Sequence, residues 1–415
     1  MDSGQLAWLI IATALVLFMT PGVALFYGGL VKAKSVVSMM MLSFGSMGLI
    51  AVLYVLFGFS MYNNIGGPGA FSGNPFADFG LQSTVDSDAT GEGLINVVFA
   101  ATFAIITVAL ISGAIADRAK FWPWMLFAGI WATLVYFPVA AWVWVDGWII
   151  NLGSLMFGED SGVAVIDWAG GTAVHINAGA AALALALVLG KRVGFQKGIN
   201  RPHNVPLVML GAAILWFGWF GFNAGVTAAP LGEDGGTGTG LIIVNTLVCP
   251  AAAIIGWIVV EKIKDGKSTS VGAASGAVAG LVAITPACAN LTPGTAIILG
   301  LIAGVVCALA VELKWKLGYD DSLDVVGVHL VGGLIGTLYL GFAAIDTGLF
   351  TGGDYKQLVV QLISSVAVLV YSFVVAFVLG WIIDKTIGFR VKNEDEIAGV
   401  DVSVHGEDGY ALAER

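Results

Sequence analysis

The chain has 415 residues, of which 58% are hydrophobic and only 11% charged, with a formal net charge of -10, whereas an ordinary soluble domain carries roughly 25% charged residues. A mean hydropathy of +0.91 fits a chain embedded mostly in lipid and excludes a soluble globular protein and a disordered one. The acidic balance also argues against a nucleic-acid partner, which would need a basic face.

A helix needs about 20 mostly apolar residues to cross a bilayer. Cutting the chain where charge, Pro, Asn and Gly cluster predicts eleven spans, at about 6–30, 37–61, 94–116, 121–145, 163–190, 205–227, 238–260, 271–289, 295–317, 322–344 and 356–388. The first lacks the basic n-region of a secretory signal and outruns a normal h-region, so it is expected to be a retained span. The eighth and tenth are short and glycine-rich. The expected fold is an all-α polytopic membrane protein. Its membrane domain covers 1–390, with spans one to five at about 6–190, six to ten at 205–344 and the eleventh at 356–388, followed by a polar tail over 391–415.

Basic residues provide an independent check on this count. Of 18 Lys and Arg residues, all but Lys356 fall in alternate loops on one side, from Lys32 and Lys34 through Lys197 to Arg415. By the positive-inside rule the N-terminus is outside and the C-terminus inside. The 57 glycines favour a tightly packed bundle, because small residues let membrane helices approach closely. Cys249, Cys288 and Cys307 form no even set for disulfides and read as small buried hydrophobes.

An odd number of spans per half would make two five-helix repeats antiparallel. The segments AGGTAVHINAG in span five and DVVGVHLVGG in span ten suggest such a repeat, each with a histidine, His175 or His329, that follows a carboxylate, Asp167 or Asp324. His175 and His329 are the two histidines at membrane depth, and ionisable groups there are functional candidates by default. The alternative is a neutral imidazole bonded to a backbone carbonyl. No third ligand accompanies them, so no metal site is expected. Asp167 and Asp324 begin their spans, where a carboxylate can cap a helix; Asp167 can also act at long range on a cation outside the membrane. Trp144, at the outer end of span four, offers a face for a cation. Phe103 and Phe222 fall toward the outer ends of spans three and six, where they can narrow an entry. Each of these three aromatics is also open to a reading as ordinary packing.

The chain resembles the ammonium transporters of the Amt/MEP/Rh family along nearly its whole length. The residues that carry the resemblance include LFYGGLVKAKSVVSM at 25–39, TFAIITVALISGAIADR at 102–118, DWAGGTAVHINAG at 167–179, WFGWFGFNAG at 216–225, ITPACA at 284–289, DDSLDVVGVHLVGG at 320–333 and GVDVSVHGEDGY at 399–410. The resemblance implies a bacterial or archaeal Amt-type member in the plasma membrane, with eleven helices in a five-plus-five inverted repeat, assembled as a homotrimer with one pore per subunit. It puts the external recruitment site on Trp144, Phe103 and Asp167, the phenylalanine gate on Phe103 and Phe222, the twin pore histidines on His175 and His329, and a further pore-lining aromatic on Trp219. Two positions depart from the family pattern. Val226 stands where many members have a serine hydroxyl, and Ala100 where a glutamine is often found. Both departures weaken the expected outer site unless Thr227 or a backbone carbonyl substitutes.

Transferring an intact cation into a dry pore costs up to tens of kcal/mol, which a cation–π contact of about 2 kcal/mol does not offset. Removing a proton from an ammonium of amine-like pKa, about 10, costs about 4 kcal/mol at pH 7. Such a pore is therefore expected to pass ammonia, with the proton leaving separately, and to exclude potassium, which has no proton to give up. Neutral imidazoles can donate one hydrogen bond and accept another, which suits them to guide ammonia and relay a proton. No cofactor is expected. An enzyme is disfavoured, because there is no nucleophile with a base and no phosphate-binding loop. The tail resembles the segment through which PII-type regulatory proteins act, so the candidate functions are a transporter and an ammonium sensor, which can coexist, with carbon dioxide conduction by an Rh-like member a third reading that the bacterial-type motifs disfavour. Sensors in this family often carry an added signalling domain, so a chain that stops shortly after Tyr410 is expected to be a transporter.

Overall fold

A computed structural model describes residues 3–67, 71–88, 90–195, 201–228 and 237–410. Lys197, Arg415 and the side chain of Thr227 lie outside the described residues. Among the described residues the structure is helical, with no strand and one isolated bridge between Ala119 and Arg390.

Ten of the described helices are long and apolar enough to cross a membrane. They are α1 (Ser3–Leu30), α2 (Ala33–Tyr62), α3 (Glu92–Ile115), α4 (Phe121–Trp144), α5 (Gly171–Leu189), α6 (Val205–Ala224), α7 (Gly238–Asp265), α9 (Pro293–Leu317), α10 (Val326–Ala343) and α11 (Tyr355–Thr386). Between α7 and α9 lies α8 (Ser270–Ile284), an apolar helix of 15 residues, which at 1.5 Å per residue falls short of the hydrocarbon thickness. Ten of the predicted spans thus have a membrane-length helix at their positions, the fifth starting later than expected at Gly171, and the eighth has only the shorter α8.

Polar side chains set several helix starts. Asn204, Thr269 and Thr292 accept the backbone N–H groups of Leu207, Gly272 and Thr295 at 2.9, 2.8 and 3.3 Å, satisfying donors that the first turn leaves free. In the bundle α1 packs along α6, α7 along α9, and α11 against α5. Glycine allows the close approaches: a Cβ on Gly211 of α6 would lie 2.3 Å from the Phe26 nitrogen of α1, and one on Gly300 of α9 2.2 Å from the Cys249 oxygen of α7.

The loops that carry Arg118, Arg192 and Arg390 meet the end of α9, with Lys314, at one end of the bundle, here the basic end. Arg192 is buried there between two carboxylates, its Nη2 2.9 Å from Asp320 Oδ1 and its Nη1 3.0 Å from Asp117 Oδ2. Burial works to raise the Asp320 carboxyl, but its hydrogen bonds and charge interaction with Arg192 outweigh this and hold it below the ordinary carboxylate value. The tail crosses the same end. Val391 donates to the Arg118 carbonyl at 2.9 Å, and Glu396 accepts Val193 N–H at 2.6 Å and pairs with Arg390 at 2.6 Å. Farther along, the Tyr410 hydroxyl lies 2.8 Å from His203 Nε2.

Candidate substrate pathway

At the end opposite the basic loops, a cavity of about 760 Å³ opens among Trp144, Phe103, Phe99, Trp168, Ala100 and Val226. Trp144 closes α4, and its indole N–H donates to the Asp167 carbonyl at 2.8 Å, fixing the ring at the cavity wall. Phe103 of α3 meets Trp144 edge-on, with centroids 6.0 Å apart and an angle of 89°. On its other side Phe103 stacks on Phe222 of α6 at 4.1 Å and 17°. The stacked pair is buried and closes the floor of the cavity.

Phe222 in turn meets the His175 ring at 6.4 Å. His175 stacks on Trp219 at 5.5 Å and 18°, and on His329 at 5.3 Å and 21°. The two histidines face each other through their Nδ1 atoms, 3.2 Å apart, an arrangement in which one imidazole donates and the other accepts. The space beside them, bounded also by Trp219, Phe222 and Tyr27, is about 10 Å³, near the least that holds one water. Both histidines lie in π-helical turns, Gly171–Ile176 and Val326–Leu330, that continue into α-helix. Such turns recur at functional sites.

Asp167 organises the start of α5. Its carboxylate accepts the N–H groups of Gly170, Gly171, Thr172 and Ala173 at 2.9, 2.6, 2.9 and 3.0 Å. The corresponding role at α10, expected of Asp324, belongs to Asp321, whose Oδ2 accepts Val326 N–H at 2.7 Å. A left-handed backbone at Asp324, φ 65°, takes that residue off the helical path, and its carboxylate bonds Lys314 Nζ at 2.5 Å. Asp321 precedes His329 by the same eight positions that separate Asp167 from His175.

The sequence reading passed over Thr285, Phe99 and Trp168. The Thr285 hydroxyl accepts the Trp219 indole N–H at 2.8 Å and donates to Leu281 O at 2.7 Å, holding the ring that stacks on His175. Its place in ITPACA, one of the segments that carry the resemblance, is the one sequence signal that pointed to it; in the structure its carbonyl accepts the Ala169 N–H at 3.2 Å.

Apolar membrane-length helices around a cavity that narrows onto two facing imidazoles define a polytopic membrane protein built for transport. Residues 7–410 match the Ammonium Transporter Family. An ammonium transporter of Mycobacterium bovis is 49% identical over 99% of this chain and 91% of its own length. Among solved structures, Mep2 of Candida albicans is similar at a TM-score of 0.85 and 31% identity, covering 99% of this chain and 91% of that one. A structure described as a sensor Amt protein is similar at a TM-score of 0.86 and 27% identity, covering 97% and 98%. The chain belongs to the ammonium transporter family, whose members are transporters and channels, not enzymes.

Proposed function

We propose that this protein takes up ammonium for nitrogen supply by capturing the cation in the cavity beside Trp144 and Phe103, removing its proton, and passing ammonia between Phe103 and Phe222 and along His175 and His329. The proton follows separately, giving net ammonium transfer. The observation that carries this reading is the sequence of rings in contact: Trp144 touches Phe103, Phe103 stacks on Phe222, Phe222 meets His175, and His175 faces His329. The aromatic mouth can hold a partly desolvated cation, and the space beyond is too narrow and apolar for its hydration shell. Trp219 lines that space, and Asp167 acts by holding the α5 start and the carbonyl that anchors Trp144.

In this reading the chain crosses the plasma membrane eleven times, α8 included, with two inverted five-helix halves, the N-terminus outside and the basic end in the cytoplasm. It works as a homotrimer in lipid, and its tail over 391–415 is the contact for a PII-type signal protein. The decisive experiment records current and ammonium flux in liposomes after an ammonium pulse, for the wild type and for the His175→Leu/His329→Leu double variant. Current is expected to vanish in the double variant while size-exclusion chromatography shows an intact assembly. Wild-type current in a folded double variant would reduce both histidines to buried structural residues.

A further inference from the structure

Below His329, toward the basic end, lies a group of ionisable side chains with no part in the function proposed above. Asp321 is 1% exposed. Its Oδ2 serves the α10 cap, but its Oδ1 is buried without a hydrogen-bond partner. Lys314 Nζ lies 3.1 Å from the Asp321 carbonyl oxygen and 2.5 Å from Asp324 Oδ1, and the Asp324 carboxylate is 38% exposed. The cluster therefore runs from a fully buried carboxylate to one that meets water.

Its buried end adjoins the space beside the histidines. Tyr27, which bounds that space, lies within electrostatic range of both Asp321 and Asp324. A Cβ on Gly113 would lie 2.6 Å from the Tyr27 ring and 2.8 Å from Val325 Cγ2, so the tyrosine packs beside the residue that follows Asp324. The Tyr27 hydroxyl donates to Leu110 O at 3.1 Å and keeps its lone pairs available.

We propose that Asp321 is the carboxylate that receives the proton leaving the His175–His329 pair toward the basic end, and that Asp324 and water take it onward. The proposal rests on the proton co-transfer reading above. The N–H bond of an imidazolium breaks and an O–H bond forms on Asp321, with the Tyr27 hydroxyl or a water between them. The carboxylic acid then gives its proton to water at Asp324 and returns to its charged form. The charged and titratable groups that face Asp321 are Lys314 from the end of α9, Asp324 and Tyr319 from the connecting loop, and Tyr27 from α1. Arg118 also reaches in, donating to the Asp320 carbonyl at 2.6 Å. Burial pushes the Asp321 carboxyl up to about 6, against the lowering effect of Lys314 and with help from Asp324, which places it near the pH at which a transfer group exchanges protons readily.

Asp321→Asn retains an oxygen to cap α10 but cannot titrate, so it separates the two roles. The experiment measures ammonium-evoked current and lumenal alkalinisation by ammonia in liposomes sorted with the basic end inward, while varying the lumenal pH. Wild-type current is expected to fall as lumenal pH drops through about 6, where Asp321 retains its proton. Asp321→Asn is expected to lose at least fivefold in current while still passing ammonia. Asp324→Asn should move the wild-type midpoint to lower pH and Lys314→Met to higher pH, and these shifts decide the matter if the Asn variant fails to fold. A folded Asp321→Asn protein with wild-type current and pH profile, or a midpoint that neither neighbour moves, overturns the role of Asp321 alone. A wild type without any ammonium-evoked current overturns the proton co-transfer reading and this inference with it.

Discussion

The carboxylate of Asp401 accepts the backbone N–H groups of Val37 at 3.0 Å and Ser38 at 2.7 Å, so a tail residue caps the beginning of α2 across a separation of 363 positions from Ser38. Loss of such a cap costs about 1 kcal/mol. Asp401→Ala is expected to raise amide exchange across residues 393–410 about fivefold and to leave the exchange of α5 and α10 unchanged, as read by hydrogen–deuterium exchange mass spectrometry.

The same tail contact should respond to pH through His405. Its ring meets Phe121 edge-on at 5.5 Å, and its Nε2 is buried without a partner. Burial holds the docked imidazole below the ordinary His value, although Asp401 and Glu407 pull the other way. The undocked tail, with a value near 6.5, therefore binds a proton more readily. Docking is fully stable above that pH and weakens as the pH falls below it. Exchange protection of residues 400–410 is expected to drop between pH 7.5 and 5.5 in the wild type and to stay flat in His405→Gln.

At the mouth of the pathway, Trp144→Leu removes the cation-holding face while preserving bulk, and its half-saturation for ammonium should rise about fivefold, the equivalent of about 1 kcal/mol. Val226 lines the same cavity and offers no hydroxyl. Val226→Ser should lower the half-saturation about threefold through an added hydrogen bond. Initial rates of uptake across a concentration series check both, and an unchanged value in either variant removes that residue from the recruitment site.

Deeper in, Thr285→Val leaves the Trp219 indole N–H buried without its acceptor, at a cost of about 1–3 kcal/mol. The expected result is a lower melting temperature together with slower transport at saturating ammonium, because the ring stacked on His175 is no longer held. Thr285→Ser should restore both.

Removal of one carboxylate from the Arg192 cluster should be more damaging. Asp320→Ala leaves the buried guanidinium with Asp117 as its remaining carboxylate partner, and breaking a buried pair in this way costs about 3–5 kcal/mol. A large fall in the melting temperature of detergent-solubilised protein is expected, with Asp320→Asn intermediate.

Residues whose local setting is unusual were legible in the sequence. His175 and His329 stood out as ionisable groups in apolar runs, and their contact needed only that α5 and α10 lie side by side. Phe103 and Phe222 resembled the many other aromatics until the family pattern singled them out. Asp324 was misread because its position before an apolar run looks like a cap. A left-handed turn excludes it from the cap, and its carboxylate meets Lys314, ten positions earlier. The eighth span was expected to be longer than α8, because Thr285–Ala289 are apolar enough to continue a helix but form a turn whose backbone pairs with Trp168 and Ala169. The Arg192 cluster and the tail contacts join loops that are each unremarkable alone, so they were visible only once the chain was folded.

The π-helical turns at Gly171–Ile176 and Val326–Leu330 bear on how the chain can change its length. A turn with i to i+5 bonds accommodates one residue more than an α-turn, and deleting that residue would let the helix close into unbroken α geometry. Each α-helical residue advances the helix face by about 100°, so such a deletion would swing one histidine out of line with its partner even though every side chain was kept. These two segments should accept conservative exchanges and reject one-residue deletions, and a library that varies length by single steps along α5 and α10 would find its sharpest losses there.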